Sequence, residues 1–425
     1  MKPTIIPATR TATHRATTGL AALARRALHA QLARLTIGQL TIIDGTETVT
    51  YGDHQSSTLR ATIEVLDPQF WADTAFGGTI GAGESYIYGH WTVDDLTALI
   101  RLMVLNRDVM NGMEGGFALV SAPLRKLLHW VNRNTQSGSR KNIAAHYDLG
   151  NEFFALMLDP TMAYSCGIYP HPHSSLDEAQ LNKYASICHK LDLKATDHLL
   201  EIGTGWGGLA IYAATHFGCQ ITTTTISKEQ HAYACEAIAK AGLQSKITVL
   251  MEDYRALSGR YDKLVSIEMI EAVGPQFLDT YMATCSRLLK PDGCFLLQAI
   301  TLQDQFYEAA LKSVDFIQRF VFPGSFIPSI SAMTDALKRA TDLKLFHLED
   351  IGPHYATTLR DWRRNVHNKL NQIKALHYSD EFLRLWNFYL CYCEGGFMER
   401  QLGDVHMLLT KPLCRRAPIH LVPAR

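Results

Sequence analysis

The pattern in this chain most able to do chemistry is an apolar run that closes on an acid and then turns through glycines, Leu199-Leu-Glu-Ile-Gly-Thr-Gly-Trp-Gly-Gly208. A Gly-x-Gly turn lets the backbone come close to a ligand at the start of a following helix, and Glu201 stands where it would meet a positive charge. Neither Lys nor Arg occurs in the turn to neutralise phosphates. A dinucleotide site would place an acid about 20 residues further on to hold a ribose, but the stretch 219–226 ends in a run of threonines. These residues argue against NAD and for S-adenosylmethionine, whose ammonium and sulfonium are both positive and which carries no pyrophosphate. Met251-Glu-Asp-Tyr254 then offers Glu252 and Asp253 as acceptors for an adenine amino group.

Such residues need a frame that presents them on one edge. Apolar runs at 198–202, 219–226, 247–250, 263–267 and 294–298 read as strands, with helical periodicity resuming at 209 after the first. Strand and helix alternate as expected for a doubly wound, mostly parallel sheet: an α/β, Rossmann-like fold. Glu271 follows the fourth strand at its C-terminal edge, where ligands bind in open α/β sheets. The region 1–135 reads differently, with short strands at 39–43, 46–51 and 61–66 and helical patterns at 94–105 and 117–131. It is expected to be a smaller α+β domain, joined through a basic linker at 136–141 to a catalytic domain at 142–425.

From Asn142 onward the sequence resembles the cyclopropane fatty acid synthase and mycolic acid cyclopropane synthase family of S-adenosylmethionine-dependent methyltransferases. The resemblance rests on Ala145-His-Tyr-Asp-Leu-Gly-Asn-Glu-Phe-Phe154, Met162-Ala-Tyr-Ser-Cys-Gly167, Glu201-Ile-Gly-Thr-Gly-Trp-Gly-Gly208, Thr225-Ile-Ser-Lys-Glu-Gln230 and Met269-Ile-Glu-Ala-Val-Gly274. Gly83-Glu-Ser-Tyr-Ile-Tyr-Gly-His-Trp91 is similar to the N-terminal domain of the longer, phospholipid-acting bacterial members. The implied fold is that of a class I methyltransferase. The implied reaction adds a methylene across a cis double bond of a phospholipid acyl chain, through a carbocation that a bound bicarbonate deprotonates.

Carried over by position, the resemblance assigns cofactor contacts to Tyr164, Ser165, Glu201, Gly203, Thr204, Gly205, Gly207, Thr225, Gln230, Glu252 and Asp253. It assigns bicarbonate contacts to Cys166, Glu271, Ile300 and Tyr355, with Gln298 where the best-studied members have a histidine. Two further departures stand nearby: Ala272 follows Glu271 where those members have histidine, and Glu268 replaces a small residue. Ile-Glu-Met-Ile-Glu-Ala-Val-Gly274 is similar to a branch that includes plant cyclopropane synthases and actinobacterial enzymes forming methyl-branched chains. A methyl- or methylene-branching reaction is therefore the alternative, and a lipid-binding protein without activity is a more distant one. Cys393 aligns with a cysteine once considered catalytic in the family, but on a helix packing explains it better. The aromatic residues Phe306, Tyr307, Phe316 and Phe320, on helical patterns at 302–320, are expected to cover the pocket and form the acyl channel.

Composition sets the remaining bounds. The 425 residues carry 41 basic and 41 acidic side chains, so attraction to an anionic surface has to be local. Between residues 1 and 43 the only charges are Lys2, Arg10, Arg15, Arg25, Arg26 and Arg34, and Leu20, Leu23, Leu28 and Leu32 recur at near-helical spacing. A basic amphipathic helix of this kind can lie on a membrane, or pack on its own domain. The nine cysteines show no regular spacing and no signal peptide opens the chain, which predicts a cytoplasmic protein peripheral to the inner face of the membrane. No metal site is expected, since no cysteine or acid spacing around His171 and His173 suits zinc, and no nucleic-acid partner is expected. The N-terminal domain is read as the place for lipid engagement and homodimer contacts.

Overall fold

The computed structural model describes residues 19–109, apart from 54 and 56, and residues 150–419. The helix expected at 117–131 and the linker at 136–141 lie outside the described residues. The chain forms two compact units.

The first unit is built on a four-stranded sheet in the order β2-β1-β3-β4, from β1 (Gly38–Asp44), β2 (Glu47–Asp53), β3 (Arg60–Val65) and β4 (Trp91–Val93). Alternation sets its faces: Leu40, Ile42, Ala61 and Ile63 point into the core while their neighbours stay wetter. The helices Gln69–Ile87 and Leu96–Leu105 belong to this unit, the second capped by Asp95, which accepts from the Ala98 N–H at 2.9 Å. Two stretches from far along the chain, 313–323 and 369–401, join it. Helix Asp380–Met398 lies against Leu96–Leu105 so closely that a Cβ at Gly395 would come within 2.7 Å of Ile100. Thr97 donates to Glu394 and Arg101 pairs with Glu399 across the same contact.

One of the two readings of the first helix is favoured here, and two expectations within 302–320 change. The helix Gly19–Leu32 forms, but its Ala21, Ala24, Leu28 and Leu32 are buried against the unit's own core and the helix packs on Gln69–Ile87. Arg25 is held by Asp44 and Glu47, leaving Arg26 and Leu23 on the exposed side. The amphipathic face thus serves packing, because burial of a leucine stripe within the fold is available without a bilayer. Phe316 likewise lies in this unit's core, in ring contact with Phe320, Phe388 and Tyr392, rather than lining a channel. The single helical stretch expected at 302–320 is divided: its first residue ends a strand, and two short helices, Asp304–Ala310 and Phe316–Phe320, follow.

The second unit carries a seven-stranded sheet ordered β10-β11-β9-β8-β5-β6-β7, from β5 (His198–Ile202), β6 (Gln220–Thr224), β7 (Ile247–Leu250), β8 (Tyr261–Ile267), β9 (Leu289–Leu302), β10 (Lys344–Asp350) and β11 (Leu402–Thr410). The run from β7 to β9 is parallel, and β11 is antiparallel to both its neighbours. Both faces are covered, which explains the near-continuous apolar strands: Leu200, Leu264, Phe295 and Met407 face one core, and Leu199, Val265, Leu296 and Leu408 the other. β5 pairs with β6 on one side and β8 on the other, so the chain order reverses between β5 and β8. In an open sheet the ligand crevice opens at that point, beyond the C-terminal ends of the strands.

Candidate active site

At the end of β5 the turn takes Gly203 to φ +100°, Gly205 to +52° and Gly207 to +92°, all in the left-handed region that glycine tolerates without penalty. A side chain built at Gly205 would meet nothing within 4 Å, so the backbone there faces open space. Glu201 is buried beneath the turn; the Thr223 hydroxyl donates to its Oε2 at 2.6 Å and lies 2.8 Å from the Thr204 hydroxyl. Burial pushes the Glu201 carboxyl up to about 8, with only the Thr223 bond opposing it. A buried acid poised in this way suits a cationic ligand, which would supply the missing charge. At pH 7 the free protein holds Glu201 largely protonated, and a bound cation lowers its pKa, so binding of S-adenosylmethionine is expected to release a proton. Affinity should accordingly rise as pH approaches 8, by at most about tenfold per unit. Calorimetry at pH 7 in buffers of different ionisation enthalpy measures that release directly.

The other expected cofactor residues lie around the same edge. Thr225 and Gln230 are tied together, Thr225 Oγ1 donating to Gln230 Oε1 at 3.0 Å, and Glu252 is exposed just beyond β7. Tyr164 packs its ring on Phe154 and Trp362. Ser165 is buried, its hydroxyl accepting from the Lys183 ammonium at 2.6 Å. Asp253 differs from expectation: its carboxylate caps the turn Tyr254–Ala256 and is gripped by the Arg255 guanidinium at 2.8 and 2.7 Å. That pair, with the Arg255 N–H, fills Oδ1 and leaves Oδ2 one acceptor position for an adenine amino group, while Glu252 is the more open of the two.

Next to the turn, beyond β8, stands Glu268. Its backbone is left-handed at φ +47°, a conformation costing a non-glycine residue on the order of 1 kcal/mol. The strained turn aims the carboxylate into a cage of donors. The Cys166 N–H donates to Oε1 at 2.9 Å, the Gln298 amide to the same oxygen at 2.8 Å, and the Tyr355 hydroxyl to Oε2 at 2.5 Å. Gln298 also donates to Asp404 Oδ2 at 2.9 Å. Alongside, Glu271 accepts from the Ile300 N–H at 2.6 Å through Oε1, while its Oε2 and Asp404 Oδ1 are buried with no hydrogen-bond partner.

Three acids share this small volume, and their charges are set by their partners. Burial, reinforced by the facing Glu268, pushes Glu271 up to about 8, and Asp404 is raised well above the usual carboxylate range by burial and by both glutamates. Burial raises Glu268 too, but Tyr355, the Cys166 N–H and the Lys183 charge all pull against it. Of the coupled pair, Asp404 therefore keeps the proton and Glu268 carries the charge. Burial lowers the pKa of Lys183 and the charges of Glu268 and Asp159 oppose that; as an ammonium it is the compensating cation for Glu268. Cys166 contributes its backbone; its thiol is buried, and burial, with the Glu268 charge close by, raises its pKa well above ordinary, which keeps it protonated. Burial raises the Cys393 thiol as well, in keeping with packing on helix Asp380–Met398.

The expected bicarbonate residues are thus brought together, but around a side chain. Cys166, Gln298 and Tyr355 all donate to Glu268, a planar carboxylate of nearly the size and shape of the expected anion. A separate bicarbonate would have to displace it and then sit among three acids, so the residues present do not fit that anion. Asp404, Lys183 and His406 were missed in the sequence. Their signal was weak: Asp404 and His406 interrupt the apolar run of β11 at alternate positions, and so share the face on which His406 pairs with Gln298 of β9. Among the described residues, no group of three His, Cys, Asp or Glu could hold a metal ion.

Comparison with known proteins shows which family the chain resembles. The family described as mycolic acid cyclopropane synthetase matches residues 134–407. A tuberculostearic acid methyltransferase of Mycobacterium tuberculosis is 35% identical over 347 residues, covering 77% of this chain and 78% of that one. The cyclopropane-fatty-acyl-phospholipid synthase of Escherichia coli K12 is 35% identical over 344 residues, covering 80% of this chain and 86% of its own. Among solved structures, a mycolic acid cyclopropane synthase complexed with SAH and CTAB superposes with a TM-score of 0.60 at 29% identity, covering 64% of this chain and 98% of that one.

Proposed function

Since the chain belongs to the mycolic acid cyclopropane synthetase family, we propose that it transfers a one-carbon unit from S-adenosylmethionine to the cis double bond of an unsaturated phospholipid acyl chain, closing a cyclopropane ring. S-adenosylmethionine, when bound, supplies an electrophilic methyl on a positive sulfur. In this reading the turn Gly203–Gly207, Thr204 included, cradles the cofactor's amino-acid end against Glu201, while Tyr164, Ser165, Thr225, Gln230 and Glu252 surround the rest. An alkene is a weak nucleophile, so the site has to hold it in line with the methyl and keep water from the cation that forms. As the C–S bond breaks and the new C–C bond forms, positive charge passes to the acyl chain, and a proton must leave the transferred methyl for the ring to close.

The observation that carries this reading is the Glu268 carboxylate in its cage of Cys166, Gln298 and Tyr355 donors. We assign it the role of base. It is built into the chain, its charge is compensated by Lys183, and burial raises its basicity above that of an exposed glutamate. Glu271 and Ile300 form the adjoining wall, with Glu271 as a neutral acid at pH 7.

The substrate class is supported by the phospholipid synthase of Escherichia coli, whose similarity extends over 80% of this chain. A bilayer-borne substrate implies a visit to a membrane surface, placed here at the cytoplasmic face; no described helix is long and apolar enough to cross a membrane. One further product is favoured by a specific observation. The tuberculostearic acid methyltransferase is as similar as the cyclopropane synthase, and the same cation gives a methylene branch if a neighbouring hydride shifts before the proton leaves.

Incubation with S-adenosylmethionine and vesicles of cis-monounsaturated phospholipid, followed by gas chromatography and mass spectrometry of the fatty acid methyl esters, tests the proposal. The expected product is heavier by one methylene and resists mild hydrogenation, and carbonate-depleted buffer leaves the rate unchanged. A product that takes up hydrogen to become a branched chain would move the assignment to branching, and no mass change in bound-cofactor protein would refute both.

A further inference from the structure

Behind Gln298, on the side away from Glu268, a line of polar side chains runs to the protein surface. Gln298 Oε1 lies 3.1 Å from His406 Nε2, and His406 Nδ1 lies 2.7 Å from the Lys190 ammonium. Lys190 in turn pairs with Glu349, whose carboxylate is partly exposed. Gln298 and His406 are fully buried, and Lys190 nearly so.

The donor and acceptor roles along this line follow from elementary chemistry. Burial and the charges of Lys190, Lys183 and His347 hold the His406 pKa far below neutrality, so the ring is neutral and carries one N–H. Burial lowers the Lys190 pKa and the Glu349 carboxylate opposes that; the ion pair the two make is the arrangement of an ammonium. An ammonium can only donate, so His406 Nδ1 must accept and the ring proton must sit on Nε2. Nε2–H then requires an acceptor, which is Gln298 Oε1. The amide of Gln298 is thereby oriented, with its NH2 toward Glu268 Oε1 and Asp404 Oδ2.

We propose that His406 is a positioning residue for the active site: held as its Nε2–H tautomer by Lys190, it locks the Gln298 amide so that both amide hydrogens face the carboxyl pair Glu268 and Asp404. Without that lock the amide can turn over and present its oxygen to Glu268, removing a donor from the proposed base. An imidazole in place of Gln298 could not bond Glu268 and Asp404 together from one atom, whereas the two hydrogens of an amide nitrogen can. Gln298 thus answers to Glu268 on one side and His406 on the other. The role of Glu268 as base is its premise, and the first arm of its test does not depend on turnover.

Long-range proton–nitrogen correlation on full-length protein labelled with ¹⁵N-histidine distinguishes the tautomers without substrate, the His406 signal being assigned by its loss in His406→Gln. The expected result is a protonated Nε2 and a bare Nδ1; a protonated Nδ1 overturns the proposal. Kinetics supply the second arm. His406→Leu should lower kcat on the order of tenfold, the scale of one hydrogen bond, with KM for S-adenosylmethionine unchanged. His406→Gln, whose amide can accept from Lys190 and donate to Gln298, should recover most of that loss. Equal rates in the two variants overturn the positioning role, while failure of Glu268 as base would instead appear as an active Glu268→Gln enzyme.

Discussion

Glu268→Gln is expected to lower kcat by about 10³-fold while leaving S-adenosylmethionine affinity nearly unchanged, within the range general-base removal produces. The substitution keeps the shape and the left-handed backbone, but an amide cannot accept the proton. It also turns its own NH2 toward one of three donors, the Cys166 N–H, the Gln298 amide or the Tyr355 hydroxyl, which now face the wrong partner. Glu268→Ala opens the cage instead, and there bicarbonate or formate added to the assay should restore part of the rate by occupying the vacated donors. Steady-state kinetics with and without the added anion separate the outcomes. A Glu268→Gln enzyme at wild-type rate would remove Glu268 from the chemistry and return the base to solution.

The second large effect is expected at the cofactor. Glu201→Gln should weaken S-adenosylmethionine binding by about 100-fold, the worth of a hydrogen bond to a charged group made in a buried site, as read by calorimetry. The same substitution has a counter-effect on the free protein. The folded-state carboxyl lies at about 8, above its unfolded value, so folding favours the protonated form. The stability this contributes is full at acid pH, below the unfolded pKa, and is lost as pH rises through 8. Thermal unfolding of the free proteins should therefore diverge toward alkaline pH, Glu201→Gln being the more resistant there. Loss of cofactor affinity together with loss of alkaline stability would instead indicate a structural defect.

Glu201 and its turn could be read from the sequence because everything that defines them is local: an apolar strand, an acid and glycines within ten residues. The same holds for β7, whose bounds agree with the expected run, and for Glu271 at the edge of β8. What stayed hidden depends on residues far apart in the chain. β11 joins β9 after 99 intervening residues, and its Asp404 and His406 read alone as two polar interruptions in an apolar run. Glu268 was visible as a departure from the family pattern, but its meaning needed Tyr355 and Gln298 brought to within hydrogen-bond reach by three separate elements. The helix Gln69–Ile87 was masked by its glycines, which lower helix propensity and, at Gly78, break its regular geometry. The leucine stripe of Gly19–Leu32 was legible as amphipathic, yet periodicity alone does not say what covers it.

The first unit draws its parts from three separated lengths of chain, the last of them ending at residue 401. On the ribosome, the strands and helices made first must wait, with the side of Leu96–Leu105 that receives Gly395 uncovered, until the stretch 369–401 has emerged. Contacts so distant in sequence close slowly and leave apolar surface open in the meantime. The N-terminal elements are thus no detachable cassette. All of the second unit's strands but β11 are made before the first is complete, and a message truncated before the codons for Asp380–Met398 would yield a nascent chain with neither unit finished, since β11 follows that helix.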